Sequence, residues 1–184
     1  MQAGLLARFF DGVMRRAFGD LGMDDPAAGR YLTDLLTRFA RQEALAPLSV
    51  STRRRLETVA DSLLEIQRVW EWQSPGFDPW RERALRRHVG DYALFMTGIF
   101  RDHVERLSAT DYFQREGQRA YRFVAETSRT ASAPEEAELF VRLAQRFERY
   151  AGTLTYIRKV YFHEAAVRGG LPLARLFPHG RLAD

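Results

Sequence analysis

The sequence predicts an all-α protein, on three observations. Apolar residues recur at spacings of three and four along almost the whole chain, and no sustained alternating run bounded by turn residues argues for a strand. Twice an Asp-Pro pair stands where a cap and a first helical turn are wanted, at Asp25-Pro26 and Asp78-Pro79. The densest apolar run, Tyr92-Ala93-Leu94-Phe95-Met96-Thr97-Gly98-Ile99-Phe100, sits inside one of these helical stretches and is apolar on nearly all sides, the mark of a helix surrounded by others. The expected architecture is a single-domain bundle of about six helices over residues 1–170, with a central apolar helix, a long C-terminal helix and a tail at 171–184.

In chain order, a first helix over about 3–18 aligns Leu6, Phe9, Phe10, Val13, Met14 and Ala17. A second opens at Asp25-Pro26 and turns Leu32, Leu35, Leu36 and Phe39 inward. A third, about 51–72, uses Leu56, Val59, Ala60, Leu63, Ile66 and Trp70. The linker Ser74-Pro75-Gly76-Phe77 ends it, and Asp78-Pro79 starts a fourth that runs to about Leu107. Ser108, with Asp111 three residues on, reads as a capping box for a fifth helix carrying Phe113, Gly117, Ala120, Tyr121 and Val124; Gly117 and Ala120 let a neighbour pack close. The last helix starts at Pro134-Glu135-Glu136, where acids favour the positive helix end. Its stripe of Phe140, Leu143, Phe147, Tyr150, Leu154, Ile157 and Tyr161 holds to about Arg168, with Gly152 as a candidate kink and Gly169-Gly170 as the stop.

Composition excludes several chemistries. The chain has 184 residues, 46% hydrophobic and 28% charged, and no cysteine, which removes disulfides, thiolate metal sites and cysteine nucleophiles. Lys159 is the single lysine. No segment reaches the roughly 18 to 20 consecutive apolar residues of a membrane span, and Arg8 and Asp11 interrupt the N-terminal apolar stretch where a secretory signal needs continuity. A cytoplasmic location is therefore the expectation. The pI of about 9.7 invites a nucleic-acid partner, but the net charge is only +4 and the signs are interleaved: residues 101–149 hold nine Arg and nine acids. Such a surface is what a helical protein with i,i+4 pairs carries. The excess is confined to Arg53, Arg54 and Arg55 and to the basic C-terminal third.

The segment Gly90-Asp91-Tyr92-Ala93-Leu94-Phe95-Met96-Thr97-Gly98-Ile99-Phe100 resembles one in uncharacterised helical bacterial proteins, where an Asp-Tyr pair precedes an apolar run. The resemblance covers these eleven residues and implies a bacterial helical protein, with no activity attached.

The usual catalytic and cofactor signatures are missing. A di-metal bundle needs Glu-x-x-His pairs, and none of His88, His103, His163 or His179 has Glu three residues before it. His163-Glu164 begins like a zincin helix, but Val167 stands where the second His belongs. Lys159 is followed by Val160, so there is no phosphate loop, and neither a dinucleotide fingerprint nor a nucleophile elbow occurs. Neither a metal nor a cofactor is expected. Asp24-Asp25 reads as loop and cap.

One constellation remains: His88, Asp91, Phe95, Gly98, Asp102 and Glu105 share a broad stripe of the fourth helix. A His with a carboxylate one turn on can be a general base with its orienting partner, which makes His88 and Asp91 the candidate catalytic pair. The plainer reading has Asp91 accepting a hydrogen bond from a buried residue, with Tyr121 and Arg122 as candidates, because an acid leading into an apolar run must be paired if buried. Arg53, Arg54 and Arg55, in a first turn where positive charge is disfavoured, and Trp70, Trp72 and Trp80, around one helix corner, are candidate binding residues, for which an Arg-rich composition and a local mini-core are the plainer readings. The sequence-level expectation is a non-enzymatic helical protein acting through protein contacts, as a homo-oligomer or adaptor. The alternatives are a nucleic-acid-binding regulator and a ligand-binding or hydrolytic bundle with its pocket near His88 and Asp91.

Overall fold

A computed structural model describes residues 2–45 and 79–162. These residues form seven α-helices and one π-helical turn, with no strand among them: α1 (Gln2–Asp20), α2 (Pro26–Leu45), α3 (Pro79–Ile99), α4 (Arg101–Arg106), α5 (Thr110–Thr130), α6 (Pro134–Gln145), α7 (Phe147–Ile157) and the π turn Arg158–Phe162. The all-α bundle is as expected. The helix read over 51–72, the Arg53, Arg54 and Arg55 triplet, Trp70, Trp72 and the 171–184 tail lie outside the described residues.

Local chemistry explains the ends. Gly22 stops α1 in the left-handed region at φ 57°, while the Met23 N–H reaches back to the Phe18 carbonyl at 2.8 Å, a Schellman ending. Asp25 caps α2: its Oδ1 accepts the Ala28 N–H at 3.0 Å and its carbonyl accepts the Gly29 N–H at 2.9 Å. The fourth predicted helix is interrupted at Phe100, φ −108° and ψ 32°, instead of running on to Leu107. The break follows Gly98, whose carbonyl accepts the Thr155 hydroxyl at 2.9 Å where an unbroken helix would offer it to residue 102.

The capping box at Ser108 is not formed. Ser108 belongs to the end of α4, in the left-handed region at φ 52°, with its N–H on the Glu105 carbonyl and the Ala109 N–H on that of Val104. Ser132 ends α5 in the same way, at φ 56°, with the Ala133 N–H on the Ser128 carbonyl. Both occupy a position that favours glycine, because a Cβ there crowds the following carbonyl. Ser108→Gly and Ser132→Gly should therefore each raise the unfolding free energy by about 1 kcal/mol, read as a higher denaturant midpoint at unchanged slope.

The long last helix starts on Pro134 with Glu135 and Glu136 in its first turn, as read, but it is interrupted at Arg146, φ −110° and ψ 27°. Gly152, the expected kink, lies inside α7. The inward stripe also shifts near its end: Phe162, not Tyr161, is the fully buried aromatic. The π turn inserts one extra residue after Ile157 and moves the face by one position.

The helices group into two compact units. The first holds α1, α2, α3 from Phe95 onward, α4, α7 from Glu148 and the π turn. Its core contains Phe10, Met14, Leu32, Leu35 and Leu36. Phe39 stacks on Phe95 at 4.4 Å between ring centres, 7° from parallel, and Phe162 lies on Phe9 and against the edge of Phe10. Gly98 lets two backbones close: a Cβ there would lie 2.5 Å from the Leu154 Cβ. Each such fully buried aromatic or leucine contributes about 1.5–3 kcal/mol of transfer free energy.

The second unit holds α3 up to Leu94, α5 from Asp111, α6 and Phe147. Tyr121 fills its centre, with Phe140 and Phe147 at 5.5 and 6.1 Å between ring centres. Gly90 lies under the Tyr121 ring, and Gly117 under that of Phe147 beside Ala93. The five inward positions read for this helix, Phe113, Gly117, Ala120, Tyr121 and Val124, are all buried. Across the two units, every residue of α3 from 89 to 99 is buried, so the central apolar helix has no solvent face over that stretch.

Candidate functional site

In the second unit the α3 stripe places Asp91 in the core. Its side chain is 0% exposed, and its Oδ1 accepts the Tyr121 hydroxyl at 3.0 Å. A buried carboxylate held by a buried phenol satisfies the requirement that such a charge be hydrogen-bonded. Of the two candidates Tyr121 is the donor shown, whereas Arg122 is on the exposed face of α5. His88, one turn before Asp91, is exposed. The structure thus sets His88 at the surface and Asp91 against Tyr121, away from solvent.

Further along the stripe, in the first unit, Phe95 and Gly98 are core residues and the two outer acids are engaged by arginines: Asp102 with Arg158 at 2.7 Å and Glu105 with Arg101 at 2.6 Å. The Arg158 hydrogen bond holds the Asp102 carboxyl below its ordinary range against the opposing effect of burial. His103 beside it is pulled down by burial and by Arg106, which favours its neutral imidazole.

At the start of α3, Trp80 is 64% exposed and the Arg83 guanidinium lies 5.8 Å from its ring centre, within cation–π range. Arg83 also donates to the Ser128 hydroxyl at 3.0 Å and pairs with Glu136, which holds the cation in place from the α5 and α6 side. Of the three tryptophans read as candidate binding residues, Trp80 is the one the structure describes, and it is mostly exposed.

The first unit carries a cleft of about 420 Å³ formed by α1, the turn at 21–25 and α2. Its walls include Asp11, Arg15, Met23, Asp24, Asp25 and Arg30. Asp11 is paired with Arg15. Asp25 gives one oxygen to the α2 cap and the other to the Tyr150 hydroxyl at 2.7 Å, so the acid at the back of the cleft supports the fold. The cleft is in a different part of the chain from His88 and Asp91, where the sequence suggested a pocket. No spacing rule points to the Asp25–Tyr150 contact, which joins residues 125 positions apart; the Asp-Pro cap signature announces only the local half of what Asp25 does.

At the end of α1, Asp20 accepts hydrogen bonds from both Tyr156, at 3.1 Å, and Tyr161. The Asp20 hydrogen bond, followed by burial and the Asp20 and Tyr156 charges, pushes the Tyr161 phenol up to about 12, with Arg16 acting in the opposite direction. Because the folded value lies above the ordinary 10.0, the stability this contact provides is fully present below pH 10 and is lost as pH rises towards 12. Ultraviolet difference titration should show a phenol ionising near pH 12 that is lost on Tyr161→Phe.

Among the described residues no group of three or more His, Asp or Glu comes together to hold a metal ion, and no helix is long and apolar enough to cross a membrane. No known protein family matches the chain, and neither a curated protein nor a solved structure does.

Proposed function

We propose that the protein acts through protein–protein contacts, as a homo-oligomer or an adaptor, and not as an enzyme. The observation that supports this reading is Trp80: a large aromatic, 64% exposed, set beside an arginine that is itself held by Ser128 and Glu136. Trp and Arg are the residue types most enriched where binding energy concentrates at interfaces, and a pre-positioned arginine loses less freedom on binding. The fate of the best catalytic candidate supports it as well, since Asp91 is sealed against Tyr121. A photo-crosslinking residue placed at position 80 tests it. A discrete adduct with a second copy or with one identified protein, lost on Arg83→Ala, is the expected result. A chain that stays monomeric by light scattering at all concentrations and yields no discrete adduct would overturn it.

A nucleic-acid role for Arg53, Arg54 and Arg55 rests on residues outside the described structure and keeps its own test: duplex DNA binding that persists at physiological salt and weakens when the triplet is replaced.

A further inference from the structure

The inward stripe of the last helix carries Tyr150, Leu154 and Ile157, all fully buried. At α-helical spacing the next inward position is residue 161, four after Ile157, and it holds Tyr161, an aromatic of nearly the size of phenylalanine. The structure instead seats Phe162 there, 0% exposed, stacked on Phe9 at 6.3 Å and edge-on to Phe10 at 6.1 Å between ring centres. Residues five apart on an α-helix diverge by about 140°. A π turn closes on the fifth residue and brings Phe162 back beneath Ile157. The same extra residue swings Tyr161 outward, so that Tyr156 and Tyr161, also five apart, meet one carboxylate, that of Asp20, with their rings edge to face at 6.1 Å.

We propose that residues 158–162 form a two-register switch, in which the π turn that seats Phe162 against Phe9 and Phe10 competes with an α-helical register that seats Tyr161 there, and Asp20 selects the π register. Two aromatics with rings of the same size compete for one site, and the Tyr161 hydroxyl is what separates them. The π register leaves the Tyr161 phenol at the surface on its acceptor, whereas the α register takes that hydroxyl into an apolar slot and away from Asp20. With the carboxylate present the hydroxyl decides the outcome, and without it the ordinary helical hydrogen-bond pattern regains its advantage.

Hydrogen-bond scalar couplings in the full-length chain test the proposal, because they report which carbonyl each amide uses. In the unaltered protein the Phe162 amide should couple to the Ile157 carbonyl. Asp20→Ala, a change at an exposed position, should raise the α register from a minor population of below about 10% to the dominant one, with the coupling moved to the Arg158 carbonyl and the Tyr161 phenol protected from modification. Phe162→Ala should do the same from the other side of the equilibrium. Coupling that stays at Ile157 in both variants would overturn the switch. So would loss of both couplings with rapid amide exchange at 158–162 in an otherwise helical protein, since no second register would then exist.

Discussion

Asp25→Ala should destabilise the protein by about 3 kcal/mol, the sum of a lost helix cap, about 1 kcal/mol, and a buried phenol deprived of its acceptor, about 1–3 kcal/mol. Both effects come from one carboxylate: Oδ1 holds the Ala28 N–H of α2 and Oδ2 holds the hydroxyl of Tyr150, which is fully buried on α7. Asn at this position keeps the cap and an acceptor and should recover more than half of the loss. Tyr150→Phe should cost less than Asp25→Ala, because it removes the donor and leaves the cap intact. The double variant should be less destabilised than the two losses added together. Urea unfolding of the four variants and the unaltered protein measures all of these values, and strict additivity would mean that the bond contributes nothing of its own.

Gly98→Val should cost about 3 kcal/mol, at the upper end of overpacking effects. The first carbon of any side chain there meets the Leu154 Cβ at 2.5 Å and the Ala151 carbonyl oxygen at 3.2 Å. Neither is the movable end of a flexible side chain, so the helices must part, and parting stretches the 2.9 Å bond from Thr155 to the Gly98 carbonyl. Helix propensity acts the other way, since glycine inside a helix is about 1 kcal/mol worse than alanine, but that gain is smaller than the clash. Gly12 provides the control. Nothing lies within 4 Å of a Cβ built there, so Gly12→Ala should raise stability by about 1 kcal/mol. Opposite signs for the two substitutions separate close packing from intrinsic propensity in one thermal unfolding series.

How far the sequence discloses such features depends on their range. Helix positions and inward faces follow from spacing, and the five inward residues of α5 all prove buried. Asp91 stands out by its place before an apolar run, and Tyr121 is one of two candidate partners on the next helix, by the rule that a buried charge must be paired. The break at Phe100 and the turn at 158–162 are hidden because both involve contacts between elements. Phe100 follows a carbonyl engaged by Thr155 on another helix, and the turn at 158–162 depends on aromatic partners and a carboxylate more than a hundred residues earlier. Ser108 misled because Ser before an acid is a start signal, whereas the chain uses it as a left-handed stop. The cleft between α1 and α2 had no signal at all, since its walls are ordinary helix positions around a turn.

The interleaving of the two units has a consequence for synthesis. The first unit draws on α1 and α2, then on the end of α3 and α4, and finally on α7, so neither unit is a single stretch that can be cut out of the gene. On the ribosome the Asp25 carboxylate emerges 125 residues ahead of Tyr150. At about 5–20 residues per second the α1–α2 hairpin waits roughly 6–25 s for the helix that completes it. Early in that interval, before the end of α3 and α4 arrive, the faces bearing Phe10, Met14, Leu32 and Leu35 lack the first unit's later helices, and transiently exposed apolar surface of this kind is what invites aggregation and chaperone binding.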